Sequence, residues 1–137
     1  MGMGVGEQAA TDDVSVFGRD SRLRNRRQLD VMRENGRKNA GRHCVLVVLQ
    51  SPPDGMRRAA FLISRKYSLL AVERNRARRL FREAYRLIFP KLPMSWLLFI
   101  PRQRMKGVML QDILPEIVDL LRKAGIELPS AEECLNA

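Results

Sequence analysis

Val72 to Leu87 reads VERNRARRLFREAYRL. Wound as an α-helix at about 100° per residue, it places Arg74, Asn75, Arg78, Arg79, Arg82 and Arg86 within one arc of about 140°. Leu80, Leu87, Ala84, Ala77, Ile88 and Phe81 gather on the other side, with Tyr85 near the seam. Arginines that recur at i, i+4, i+8 and i+12 repel one another, and like charges at that spacing weaken a helix. Glu83 is the only acid between Arg74 and Arg86. An external polyanion relieves this repulsion, and planar, permanently charged guanidinium groups suit phosphate through paired hydrogen bonds. A face turned only to water usually mixes both signs. This one is almost all cationic.

Working outward, Pro90 and Pro93 end the helix near Phe89. Upstream, CVLVVLQ from Cys44 to Gln50 is a β-branched apolar run and reads as a buried strand. Ser51 to Gly55 carries the residues of a turn, and AAFLIS from Ala59 to Ser64 reads as a second strand. The short loop between them predicts an antiparallel hairpin. A first helix spans RRQLDVMREN, with Asn25 as its cap, Leu29 and Met32 inward, and Gly36 in a left-handed turn at its end. Arg37 to Arg42 is a basic link. Downstream, SWLLFIP from Ser95 to Pro101 is another strand, and a basic loop follows from Arg102 to Lys106. A last helix has Asp112 as its cap, Pro115 in its first turn and an apolar stripe of Ile113, Ile117, Leu120, Leu121 and Ala124, with Gly125 ending it. This order predicts an α+β sandwich. Residues 1–20 read as a flexible tail, 21–126 as one domain and 127–137 as a polar tail.

The whole chain has 137 residues, 45% of them apolar, enough for one globular core. Lys and Arg number 25 against 15 Asp and Glu, a formal charge of +10, which attracts nucleic acid or anionic surfaces. No apolar run approaches the ~20 residues that span a bilayer, and the first residues lack the basic start and apolar segment of a secretory signal. A cytoplasmic protein without a membrane role is expected. Cys44 and Cys134 show no CxxC spacing and read as reduced, structurally minor thiols.

The residues of a self-contained enzyme are missing from the pattern. His43 is the only histidine and has no evident partner in the sequence, so it reads as a surface or edge residue. No glycine-rich phosphate loop or metal-ligand spacing is present, and Asp112, Glu116 and Asp119 read as a solvated helix face. Phe81 and Tyr85 belong to or border the packing side of the helix, and Phe61, Trp96 and Phe99 to strands, so core roles outweigh base stacking. Contacts to phosphate and sugar should dominate, with strong salt dependence. A basic zipper would continue into leucine heptads where Pro90 interrupts, and a helix-turn-helix would place a helix where the strand precedes. RNA is therefore the expected partner.

Ser64-Arg65-Lys66 followed by AVERNRARRLFREAYR, Ala71 to Arg86, resembles the signature of the bacterial ribonuclease P protein component. The resemblance extends to Arg22-Leu23-Arg24, Gly36, the two long strands and the final amphipathic helix. It implies a two-layer α/β sandwich of order αβββαβα with a left-handed β-α-β crossover. It further implies a monomeric protein in a 1:1 complex with a catalytic RNA, acting in 5′ leader removal from precursor tRNA. Hydrolysis is then the work of the RNA and of Mg2+ bound mainly by RNA and substrate, with no catalytic residue and no metal site in the protein. Carried over position by position, Arg65, Lys66, Arg74, Asn75, Arg76, Arg78, Arg79, Arg82 and Arg86 become the RNA-binding group. Leu29, Arg33 and Val47 become the leader cleft, where many members carry aromatics. The loop from Tyr67 to Leu70 also lacks the glycine that many members have. A structural RNA-binding protein of ribosomal type, without a role in cleavage, is the alternative with the same charge and sandwich. A nuclease acting alone finds no site in the sequence.

Overall fold

The structure, a computed structural model, describes residues 26–128. The Asn25 cap, Arg22 to Arg24, residues 1–20 and most of the C-terminal tail, including Cys134, lie outside the described residues. In chain order the elements are α1 (Arg26–Asn35), β1 (Arg37–Ala40), β2 (Cys44–Gln50), β3 (Arg58–Phe61), α2 (Ala71–Ile88), β4 (Ser95–Pro101) and α3 (Leu110–Lys123). The order αβββαβα is the expected one.

One sheet runs β1-β2-β4-β3. Here the predicted hairpin is overturned. The β2 strand does not pair with β3; it pairs antiparallel with β1, which is the former basic link, and with β4 along its other edge. The β3 strand lies at the far edge, parallel to β4, and ends at Phe61 rather than Ser64. A short loop permits a hairpin without compelling one. The seven-residue β4 matches β2 along its whole length, from Cys44 opposite Pro101 to Gln50 opposite Ser95, and so claims that edge. The parallel β3-α2-β4 unit follows, with α2 as the crossover.

Strand alternation sorts the core into two clusters. Leu46, Val48, Leu97 and Phe99 face one side, where Phe81, Tyr85 and Ile88 of α2 and Ile113, Ile117 and Leu121 of α3 cover them. Val47, Trp96 and Leu98 face the other, where α1 contributes Met32, with Leu29 and Val31 partly buried beside it. Rings of Phe81 and Phe99 lie 5.2 Å apart and those of Tyr85 and Phe99 6.0 Å apart, edge-on. Such pairs contribute about 0.5–1.5 kcal/mol each beyond their burial. Leu128, 8% exposed, still belongs to the first cluster, so packing continues past residue 126.

Three local expectations change. Gly36 is not in the left-handed region. Its requirement is close approach, because a Cβ there would lie 2.4 Å from the Met32 carbonyl oxygen and 2.6 Å from Val47 Cγ1. Asp112 is not the cap residue of α3 but its third residue, whose Oδ2 accepts the Met109 amide hydrogen at 3.2 Å. The helix therefore begins earlier, and Pro115 falls in the second turn instead of the first. Gly125 does end α3 with φ +98, with Ile126 N–H donating to the Leu121 carbonyl at 2.8 Å and Gly125 N–H to Arg122 at 3.0 Å.

Candidate nucleic-acid interface

The 18 residues of α2 bury Ala77, Phe81, Ala84, Tyr85 and Ile88. Tyr85 is fully buried within the packing side, not at its seam, while Leu80 and Leu87 are half-buried flanks. The helix is thus rolled relative to the wheel drawn from sequence. Asn75, Arg76 and Arg79 are exposed, and Arg74, Arg78, Arg82 and Arg86 are half-buried along the sides. Tertiary packing sets this roll, because the large rings of Phe81 and Tyr85 meet Phe99 and draw their side of the helix inward.

The start of α2 is held without a polar cap residue, since Leu70 occupies the cap position. Ser68 supplies the missing polar contacts: its hydroxyl donates to Glu73 Oε1 at 2.5 Å and accepts the Leu70 amide hydrogen at 3.0 Å. Arg74 donates through Nη1 to the Ser68 carbonyl at 2.9 Å, and Arg78 to Asn75 Oδ1 at 3.0 Å. Glu83 pairs with Arg86, lowering repulsion at the far end. Arg74 is therefore partly structural, while Arg76 and Arg79 carry their charge into solvent with no carboxylate partner among the described residues.

Arg65 and Lys66 are exposed in the loop before α2. The segment from Arg102 to Lys106 comes beside them: Gln103 Nε2 donates to the Lys66 carbonyl at 2.9 Å, and Lys106 Nζ sits 5.4 Å from the Tyr67 ring centre. Arg104 and Lys106 are exposed there and extend the cationic surface beside Lys66 beyond the residues expected from the sequence. The segment's composition was the available signal; its adjacency to Lys66 was not.

The three cleft residues sit on the opposite side of the sheet from α2. Leu29 is half-buried and Arg33 exposed on α1. Val47 is 7% exposed, packed into the second core cluster beneath Gly36. That face consequently presents Leu29 and Arg33, with half-buried Val45 and Ile100 on the strands, rather than Val47. The structure brings the residues expected to bind RNA together along α2 and its preceding loop, and keeps the residues expected to form the cleft apart from them.

His43 does have a partner. Its Nδ1 lies 2.8 Å from Glu116 Oε1, so Glu116 belongs to a buried-edge contact and not to a solvated face. Cys44 is buried as a free thiol; burial first, then the Glu116 carboxylate, pushes it far above the ordinary thiol range, which removes it as a nucleophile. Among the described residues no group of three or more His, Cys, Asp or Glu could hold a metal ion, and no helix is long and apolar enough to cross a membrane.

The family model for ribonuclease P matches residues 17–125. The chain belongs to the ribonuclease P protein family. Ribonuclease P protein components of Pelotomaculum thermopropionicum and Herpetosiphon aurantiacus are 38% and 33% identical to it, covering 72% and 84% of this chain and 95% and 96% of their own length. The fold is that of solved ribonuclease P proteins: one from Staphylococcus aureus, a mutant with defective mRNA degradation activity, has a TM-score of 0.71 at 18% identity over 90% of this chain and 99% of its own. The Thermotoga maritima protein has 0.63 at 22% identity over 74% and 96%. The α2 arginines and the Arg65-Lys66 pair all fall inside the span matched by the ribonuclease P model.

Proposed function

We propose that this chain is the protein subunit of ribonuclease P, binding the catalytic RNA through α2 and its flanking loops and the precursor-tRNA leader across the α1 face. Membership of the family supports the assignment. The observation that carries the binding mode is the outward cationic side of α2, where Arg76 and Arg79 project without carboxylate partners among the described residues. Guanidinium groups there bind phosphate oxygens and offset repulsion between substrate and catalytic RNA. Leu29 and Arg33 offer the leader an apolar edge and a cation in place of aromatic stacking. Magnesium, when bound to RNA and substrate phosphates, supplies electrostatic stabilisation at the scissile phosphodiester. Among the described residues no group of three or more His, Cys, Asp or Glu could hold it, and no side chain is given that role. The complex is read as 1:1 and cytoplasmic.

The test is cleavage of precursor tRNA by the cognate catalytic RNA at low magnesium, with and without the protein, using leaders of several lengths. Stimulation that grows with leader length is the expected result. Stimulation independent of the leader would confine the protein to stabilising the RNA, and no stimulation would favour a structural RNA-binding module.

A further inference from the structure

Beside the first turns of α2 lies a cavity of about 250 Å³, smaller than the ~300–1,000 Å³ of clefts for drug-sized ligands and suited to a single ring system. Tyr67, Glu73, Arg76, Leu80, Met105 and Lys106 line it. Its floor is apolar, with Met105 buried and Leu80 half-buried, while Arg76 and Lys106 are exposed at its rim. This is the chemistry of a nucleotide: a flat apolar body between cations that suit its phosphates.

Glu73 decides the rest. A carboxylate set among cations repels phosphate, so the group facing it must donate hydrogen bonds. Its Oε1 takes the Ser68 hydroxyl at 2.5 Å, which holds the carboxylate in one orientation, and it forms no ion pair among the described residues. A stabilising role at the helix start accounts for Glu73 being acidic. It does not account for an open cavity with two cations at its mouth. Tyr67 faces the same space: burial first, then Glu73, raises its phenol above the ordinary range, with Arg76 opposing, so it stays a neutral hydroxyl. A carboxylate accepts only, and guanine is the base whose pairing edge presents two adjacent donors, N1–H and the N2 amino group.

We propose that this cavity is a subsite for one unstacked guanine of the bound RNA, with Glu73 accepting from N1–H and N2–H and with Arg76 and Lys106 on the flanking phosphates. The inference rests on the RNA-subunit reading above. It adds base recognition to a surface otherwise built for phosphate.

Kethoxal, which adds to N1 and N2 of unpaired guanines, tests it on the complex of the full chain with its cognate catalytic RNA. The expected result is one guanine that loses reactivity when the protein binds. Glu73→Gln retains an acceptor for Ser68, and Leu80→Trp fills the cavity while leaving the carboxylate; both should restore reactivity at that guanine. Glu73→Gln should also weaken binding about 10-fold. Unfolding midpoints close to that of the parent chain would show that both variants fold. A protein that stimulates cleavage yet shields no guanine overturns the subsite and leaves the subunit reading intact. Shielding that survives both substitutions also overturns it. A protein that does not bind the RNA overturns both readings together.

Discussion

The Glu116 carboxylate on α3 closes onto His43 at the start of β2: Oε1 lies 2.8 Å from the imidazole Nδ1, and Oε2 accepts the amide hydrogens of His43 at 2.8 Å and Cys44 at 3.1 Å. One side chain thereby ties the last helix to the turn between β1 and β2. The approach depends on Gly41, where a Cβ would lie 2.4 Å from Oε2. Glu116→Ala leaves two partly buried amides without that acceptor and should lower stability by about 1–3 kcal/mol. Glu116→Gln should recover part of the loss, and Gly41→Ala should resemble Glu116→Ala. Urea midpoints of the three variants check this, and an unchanged midpoint for Glu116→Ala would show that water replaces the carboxylate without penalty.

Asp54 links the turn after β2 to β4 by accepting from the Trp96 indole at 3.0 Å and pairing with Arg58. Burial raises its pKa, but the Arg58 hydrogen bond, the Met56 amide and the Trp96 indole outweigh burial and hold it below the ordinary carboxylate value. A depressed folded-state pKa means that the stabilisation is fully present above the unfolded value of about 3.9 and is lost as pH falls through the lower folded one. The difference in thermal midpoint between the parent chain and Asp54→Asn should therefore be constant above about pH 4 and shrink below it. A difference that widens in acid would refute this coupling.

Arg79 and Arg74 should separate binding from folding. Arg79 is exposed, so Arg79→Ala should reduce the slope of log affinity against log salt by about 0.7–0.9 and leave the unfolding midpoint in place. Arg74 also donates to the Ser68 carbonyl, so Arg74→Ala should lower both the slope and the stability. Salt titrations of RNA binding, paired with melting curves, read the two effects. An unchanged slope for Arg79→Ala would place that side chain away from phosphate.

Phe81 is fully buried against Phe61 and Phe99, whereas Leu80, one residue earlier, is half-buried. Phe81→Ala should cost about 3–5 kcal/mol in chemical denaturation. Leu80→Ala should cost clearly less than the ~2–5 kcal/mol of a fully buried leucine. Equal losses would mean that α2 is rolled the other way.

The sequence by itself determined the chemistry of α2, the apolar runs of β2 and β4, the amphipathic stripe of α3 and the cationic character of the surface. These follow from side-chain type and local period, and they survive any arrangement of neighbours. Only the tertiary structure decided that Arg37 to Ala40 is a strand, that β4 separates β2 from β3, and that Tyr85 is fully buried on the packing side. It also decided that Glu116 meets His43, and that Arg102 to Lys106 lies beside Lys66. Strand partners and helix roll are chosen by which pairing buries both faces of the sheet and seats the largest rings, and that choice is made between segments distant in the chain. Local periodicity does not contain it.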